Sequence, residues 1–289
     1  MIIDMRNKDM SLSEAIFMAK EGDIIQLDDK EYFEQIELNK KNITLKGNKN
    51  TVIAFDAYAS CINPNTSKKY GTSGSATFRV KAGAINFKAY NITFKNSHIK
   101  MTNDGEQAVA FKSEASNTLL VNCKFISFQD TLYMDDGTNN LIINSYIEGD
   151  VDFIFGSSDT VFKNCIINSF TQHQSAYFLA PDTYCQNSHG LVFKDCEFRS
   201  NVVKTILARR WFPKGAISPV LPRISIIDSK FLGDIELDVI IMHEGNPKID
   251  VTNFKNITLN GNDVPDKGID ETNYVDYILN KYKTLIELV

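Results

Sequence analysis

NCKFISFQDTLYMDDGTNNLIINSYIEGDVD (residues 122–152) contains the same short pattern twice: Asn, then Cys or Ser, one residue, then an apolar residue. It reads NCKF from Asn122 and NSYI from Asn144. Further copies begin at Asn96 (NSHI), Asn164 (NCII), Asp195 (DCEF) and Asp228 (DSKF), giving steps of 26, 22, 20, 31 and 33 residues from 96 onward. A related NIT plus apolar residue begins at Asn42, Asn91 and Asn256. Periods of this size signal a solenoid. The intervening runs are short and rich in β-branched and aromatic residues, which makes the repeating unit a set of strands. The predicted fold is therefore all-β: a parallel β-helix in one domain, residues 1–289, each coil adding a rung about 4.8 Å from the last.

In such a stack the repeated asparagines form amide ladders along the axis. Cys123, Cys165 and Cys196 become small stacked residues beside the ladder. Cys123 and Cys165 fall two rungs apart with Ser145 between, about 9.6 Å and too far for a disulfide. The ends of a solenoid need covers. SLSEAIFMAK opens with a capping box, Ser11 and Glu14, and sets Leu12, Ala15, Ile16 and Ala19 on one helical face over the first coil. ETNYVDYILNKYKTLIELV places Tyr274, Ile278, Tyr282 and Leu285 at helical spacing, read as a helix on the last coils. Two long segments, 170–190 and 209–223, read as loops; the second contains Pro213, Pro219 and Pro222 and cannot be a central strand.

Composition narrows the function classes. The 289 residues are 43% hydrophobic and 23% charged, with a formal charge of −5. Without a basic run, nucleic acid is not an expected partner. No apolar stretch approaches the roughly 18 residues that span a bilayer, so no membrane partner is expected. The N-terminus does not read as a signal peptide. The five cysteines include no CxxC pair, and His98, His173, His189 and His243 are scattered, so neither a disulfide framework nor zinc is expected.

The 22-residue step that separates Asn122 from Asn144 also separates Asp130 from Asp152 and Gln107 from Gln129. If the coils keep phase, two carboxyls stack about one rung apart beside two amides. Carboxyls that close cannot both ionise cheaply, so one pKa is expected to rise and the other to fall. Alone, each residue is an ordinary surface group; as two matched pairs they read as a site. The neighbouring stretch GDVDFIFG (149–156) makes this awkward. Strand alternation groups Val151, Phe153 and Phe155 on one buried face, and it points the adjacent Gln129 and Asp130 to opposite sides. Both reach one site only if the chain bends there, as the turn-like MDDGTNN that follows suggests.

The sequence resembles the pectin methylesterases (pectinesterases). The resemblance rests on GSATF (74–78), QAVAF (107–111), FQDTLY (128–133), GDVDFIFG (149–156) and LARRW (207–211), in the family's order, with an N-terminal stretch like the family's opening coil. It implies a right-handed parallel β-helix and removal of methyl esters from galacturonate units of pectin or its oligomers. By position, Asp152 matches the nucleophile, Asp130 the general acid, Gln107 and Gln129 the oxyanion amides, and Arg209 the arginine that binds the nucleophile. Trp211 matches an aromatic platform, and Thr77 and Phe155 further substrate contacts. Ala208 and Arg210 stand where the family usually has Gly and Pro. A glycine of positive φ replaced by alanine would be strained, and Arg210 is expected to pair with a free carboxylate of partly demethylated pectin.

Two other readings remain at this stage. Close carboxyl pairs also cleave glycosidic bonds, and a β-helix can bind pectin without catalysis. No cofactor is implied, since nucleophile and acid are both side chains. The expected partner is pectin or a methylated oligogalacturonate, with the protein a monomer. The family mostly works outside cells; a chain read as leaderless could instead act on imported oligomers in the cytoplasm.

Overall fold

The structure, a computed structural model, describes residues 1–289 except 103, 171–175, 202–203, 214–218, 242–250 and 288–289. A complete coil gives one strand to each of three sheets, paired in parallel except for the antiparallel final strand Asn262–Val264 of the second. Among the described residues the first sheet has ten strands, from Ile2–Asp4 to Thr252–Lys255. The second has ten, from Glu31–Phe33 to Asn262–Val264, and the third eight, from Ile36–Leu38 to Ile235–Ile241. The coil that decided the sequence reading runs through Leu119–Val121, Lys124–Ile126 and Leu132–Met134. The next runs through Asn140–Ile143, Tyr146–Gly149 and Ile154–Gly156. His173 and His243 lie outside the described residues.

The ladder asparagines turn the corner from the first sheet to the second. Asn91, Asn122, Asn144, Asn164, Asp195, Asp228 and Asn256 all have φ between 47° and 56°, a left-handed conformation that Asn and Asp tolerate best after Gly. Their amides bridge rungs: Asn122 Nδ2 donates to Asn91 Oδ1 (3.1 Å) and Asn164 Nδ2 to Asn144 Oδ1 (2.7 Å). Asn96 is not a member. It ends the strand Thr93–Asn96, and its buried amide donates to the Ala57, Ser75 and Val109 carbonyls. The corner residue of that coil is Asn91, so the step to Asn122 is 31 residues rather than 26. Asn42 belongs to a second ladder, with Asn86 and Asn117, where the chain enters the first sheet. Cys123, Cys165 and Cys196 are buried free thiols; the Cys123 N–H donates to Ser145 Oγ one rung on (3.1 Å).

Inside the coils phenylalanines stack rung on rung, as in Phe94–Phe125 (5.7 Å) and Phe162–Phe193 (4.5 Å). Each buried ring contributes about 1.5–3 kcal/mol. Helix α1 (Leu12–Met18) has the expected capping box, Ser11 N to Glu14 Oε2 at 2.8 Å and Glu14 N to Ser11 Oγ at 3.1 Å, and buries Leu12, Ala15 and Ile16 on the first coil. A four-residue helix α2 covers Gly71–Gly74. Helix α3 (Thr272–Ile286) does not sit on the last coils alone. Val275, Ile278 and Tyr282 pack along the outer face of the first sheet on Leu119, Val121, Leu141, Val161 and Val192. The Tyr282 hydroxyl donates to the Asn139 carbonyl (2.8 Å). These strands are apolar on both faces, so the outer face needs a cover. The segment 170–190 is not all loop: Ala176–Pro181 is a strand of the third sheet.

Candidate active site

The bend at which the chain passes from the second sheet to the third positions two carboxyls. Asp130 has φ 65° and Asp152 φ 51°, so neither lies within a regular strand. Gln129 and Asp130 can therefore both face the same cleft. The same turn undoes the alternation assumed for residues 151–155. The strand begins only at Ile154; Phe153 and Ile154 both enter the core, whereas Phe155 faces outward. Gly149 is required by close packing, since a Cβ there would fall 2.3 Å from Phe153 Cβ and 2.5 Å from the Phe128 carbonyl.

The register places the pairs together. Asp130 N donates to Val151 O (3.1 Å), Leu132 N to Phe153 O (2.9 Å), and Leu132 pairs with Ile154. Asp130 therefore stacks on Asp152. Ala108 N donates to Gln129 O (3.1 Å), which keeps Gln107 in step with Gln129. Just beyond, Ala110 N and Phe111 N both reach Thr131 O (2.9 and 3.3 Å), and the step shortens from 22 to 21 residues. This local bulge lies beside the site, where bulges are common. Gln107, Gln129, Asp130, Asp152, Phe155, Arg209 and Trp211 line one cleft of about 310 Å³, with Thr72 and Ala180. Among the described residues neither glutamine side chain makes an internal hydrogen bond, so both amides are available as donors.

Arg209, at the end of the strand Thr205–Arg210, grips Asp152 as a fork. Its Nε donates to Oδ1 (2.9 Å) and its Nη2 to Oδ2. The guanidinium lies 4.2 Å from the centre of the Tyr177 ring. Burial pushes Asp130 well above the usual carboxylate range, and the neighbouring Asp152 charge adds to this. Burial also raises Asp152, against the opposing Arg209 fork. The expectation of one rise and one fall is thus replaced by two rises, because both groups lose water. The order survives: only Asp152 holds the direct cation contact, so it ionises first. Phe155 stacks on Tyr133 (4.0 Å) and meets Trp211 edge to face (5.9 Å), forming an apolar floor. Tyr177 and Thr72 carry no signal in the sequence; Tyr133 carries one, as the last residue of FQDTLY.

Two expected substrate contacts lie elsewhere. Thr77 is fully buried, its hydroxyl donating to the Lys95 carbonyl (2.9 Å); its side chain points into the coil. Arg210 is also buried, with Nη2 donating to the Val239 carbonyl (3.1 Å), and does not line the cleft. Adjacent strand residues face opposite sides, so one of Arg209 and Arg210 must turn away. Arg210→Ala is accordingly expected to lower the melting temperature while changing turnover of highly and weakly methylated pectin by the same factor. A selective loss on weakly methylated pectin would restore the carboxylate-pairing role. Ala208 is an ordinary buried strand residue without positive φ, so no strain follows from the missing glycine.

The sequence profile of the pectinesterase family matches residues 4–213, which include every group lining the cleft. The chain belongs to the pectinesterase family. A pectinesterase of Sitophilus oryzae is 30% identical over 233 residues, 76% of this chain and 59% of that protein. One of Ralstonia solanacearum is 36% identical over 152 residues, 47% of this chain and 38% of that protein. The chain therefore spans less than two thirds of the length of these curated relatives. A solved pectin methylesterase from Erwinia chrysanthemi superposes with a TM-score of 0.81 at 21% identity, over 96% of this chain and 94% of that one. One from Yersinia enterocolitica gives 0.76 at 28% identity, over 90% and 92%. These superpositions fix the hand: the fold is the right-handed parallel β-helix of the pectin methylesterases.

Proposed function

We propose that this pectinesterase homologue hydrolyses methyl esters of galacturonate units in pectin or its oligomers, through an acyl-enzyme on Asp152. The observation that carries this reading is the stacked Asp130–Asp152 pair beside two unengaged amides, with Arg209 on only one of the carboxyls. The Asp152 carboxylate attacks the ester carbonyl. The negative charge that develops on the carbonyl oxygen is met by the amides of Gln107 and Gln129, each worth roughly 3 kcal/mol when preorganised. Asp130, held protonated, gives its proton to the departing methoxide, releasing methanol and leaving an anhydride on Asp152. Water then attacks the acyl carbon and loses a proton to Asp130. The C–O bond to Asp152 breaks and frees galacturonate. Trp211 and Phe155 offer the apolar surface on which a sugar ring rests. A related pectin methylesterase structure contains a hexasaccharide, which fits an oligomer-sized substrate here.

Paired amides favour ester cleavage over glycoside cleavage, since acyl transfer needs an oxyanion site. Incubation with highly methylated pectin decides the matter. Methanol should appear with falling pH and without new reducing ends. Reducing ends without methanol would make the chain a glycoside hydrolase, and neither product would leave a binding protein.

A further inference from the structure

Behind the dyad lies an ion pair that the mechanism above does not use. Lys100 Nζ donates to Asp150 Oδ2 at 2.9 Å, and the two side chains are 1% and 0% exposed. Among the described residues no other ion pair is so completely removed from water. Removing either partner alone leaves an uncompensated buried charge, which is costly, whereas a neutral replacement of both is tolerated far better. A pair at this depth therefore invites the question of what it does that two apolar residues could not.

Its two ends belong to the two halves of the site. Lys100 lies in the segment between the strands Thr93–Asn96 and Phe111–Ser113, which also carries Gln107. That segment is drawn together by the Glu106 carboxylate, which accepts from Met101 N (2.6 Å), Thr102 N (3.1 Å) and Thr102 Oγ1 (2.7 Å), and meets His98 Nε2 (3.1 Å). Asp150 lies two residues before Asp152 and is pinned by its own backbone. Its N–H donates to Phe128 O (3.0 Å), its carbonyl accepts from Tyr177 N (2.9 Å), and its Oδ1 accepts from Val151 N (2.6 Å). The ion pair thus ties the segment bearing one oxyanion amide to the turn bearing the nucleophile, across a sequence separation of 50 residues.

We propose that Lys100 and Asp150 are positioning residues for the reaction: the pair clamps Gln107 against the Asp152 turn and sets a balanced second charge couple beside the dyad. This rests on the ester-hydrolysis reading above. The charged groups facing Asp130 and Asp152 are Arg209 from the strand Thr205–Arg210, Lys100 from the Gln107 segment and Asp150 from the turn, and each aspartate faces the other. Lys100 favours the ionised form of both carboxyls, and Asp150 opposes it. Kept together they oppose one another, and removing either leaves the other acting alone.

The test uses Asp150→Asn, Lys100→Met and the double variant. It reads the carboxyl titrations of Asp130 and Asp152 by 13C NMR, with kcat and KM for methanol release across pH. Asp150→Asn leaves Lys100 unbalanced and should move both titrations downward. Lys100→Met should move them upward, the double variant should return near wild type, and Lys100→Arg should keep the wild-type titrations. In the single variants kcat should fall more than KM changes, because Gln107 and Asp152 are misaligned rather than unbound. A purely structural pair would lower stability and rate without opposed titration shifts. Titrations that move the same way in Asp150→Asn and Lys100→Met, that stay unmoved or move upward in folded Asp150→Asn, or that stay displaced in the double variant overturn the proposal. If the shifts appear but wild type releases no methanol, the pair's hold on the dyad stands and the ester-hydrolysis reading fails instead.

Discussion

Asp152→Asn should abolish methanol release, with kcat/KM falling by at least about 10⁴-fold and the loss lying almost entirely in kcat. The substitution keeps the size of the side chain and leaves Arg209 an oxygen to bind, so the cleft should retain its shape. What it removes is the anion that forms the bond to the substrate. An amide oxygen is a poor nucleophile, and the remaining carboxyl of the dyad, Asp130, is still held towards its protonated form by burial. KM should change little, because the apolar surface of Trp211 and Phe155 proposed to carry the sugar ring is untouched. The measurement is methanol release under saturating substrate, with circular dichroism to confirm folding. Residual activity within tenfold of wild type would mean that water, not Asp152, attacks the ester, and the acyl-enzyme would have to be abandoned.

Much of this site was legible because a solenoid converts sequence spacing into distance. The 22-residue step was visible twice in residues 122–152, and the structure keeps it for Asp130–Asp152 and for Gln107–Gln129. What misled was the assumption that a motif copy implies a corner. Asn96 has the pattern, yet it ends a strand and bonds three carbonyls of neighbouring turns; only backbone dihedrals separate it from Asn91. Strand parity failed at residues 151–155 for the same reason, since one left-handed residue resets the alternation. Helix α3 was recognised from its periodicity, but its landing place was set by the outward-facing Leu119, Leu141 and Val161, residues that read only as parts of apolar runs. Lys100 and Asp150 gave no signal at all. A lysine and an aspartate 50 residues apart look like solvated surface groups until the coil closes on them.

Asp130→Asn should be inactive and more stable, a combination that separates a catalytic acid from a structural one. Methoxide is a poor leaving group, so loss of its proton donor should lower kcat by about 10²–10⁴-fold. The stability effect follows from the direction of its titration. Burial raises the folded-state pKa of Asp130 above its unfolded value of about 3.9. The folded state therefore binds this proton more tightly than the unfolded chain does. Its contribution is fully present below pH 3.9 and is lost progressively as the pH rises towards the folded-state value. At neutral pH the acid costs stability that a neutral amide of the same shape does not. The melting temperature of Asp130→Asn relative to wild type should thus be near zero difference at pH 4 and positive at pH 7. A gain of about 2–4 °C corresponds to each kcal/mol recovered in a chain of this size. Equal destabilisation at both pH values would show that Asp130 holds the turn together through its hydrogen bonding, and activity within tenfold of wild type would assign the proton transfer to another group. Loss of turnover together with a pH-dependent gain in melting temperature is the trade expected where a buried acid is kept for chemistry at the expense of stability.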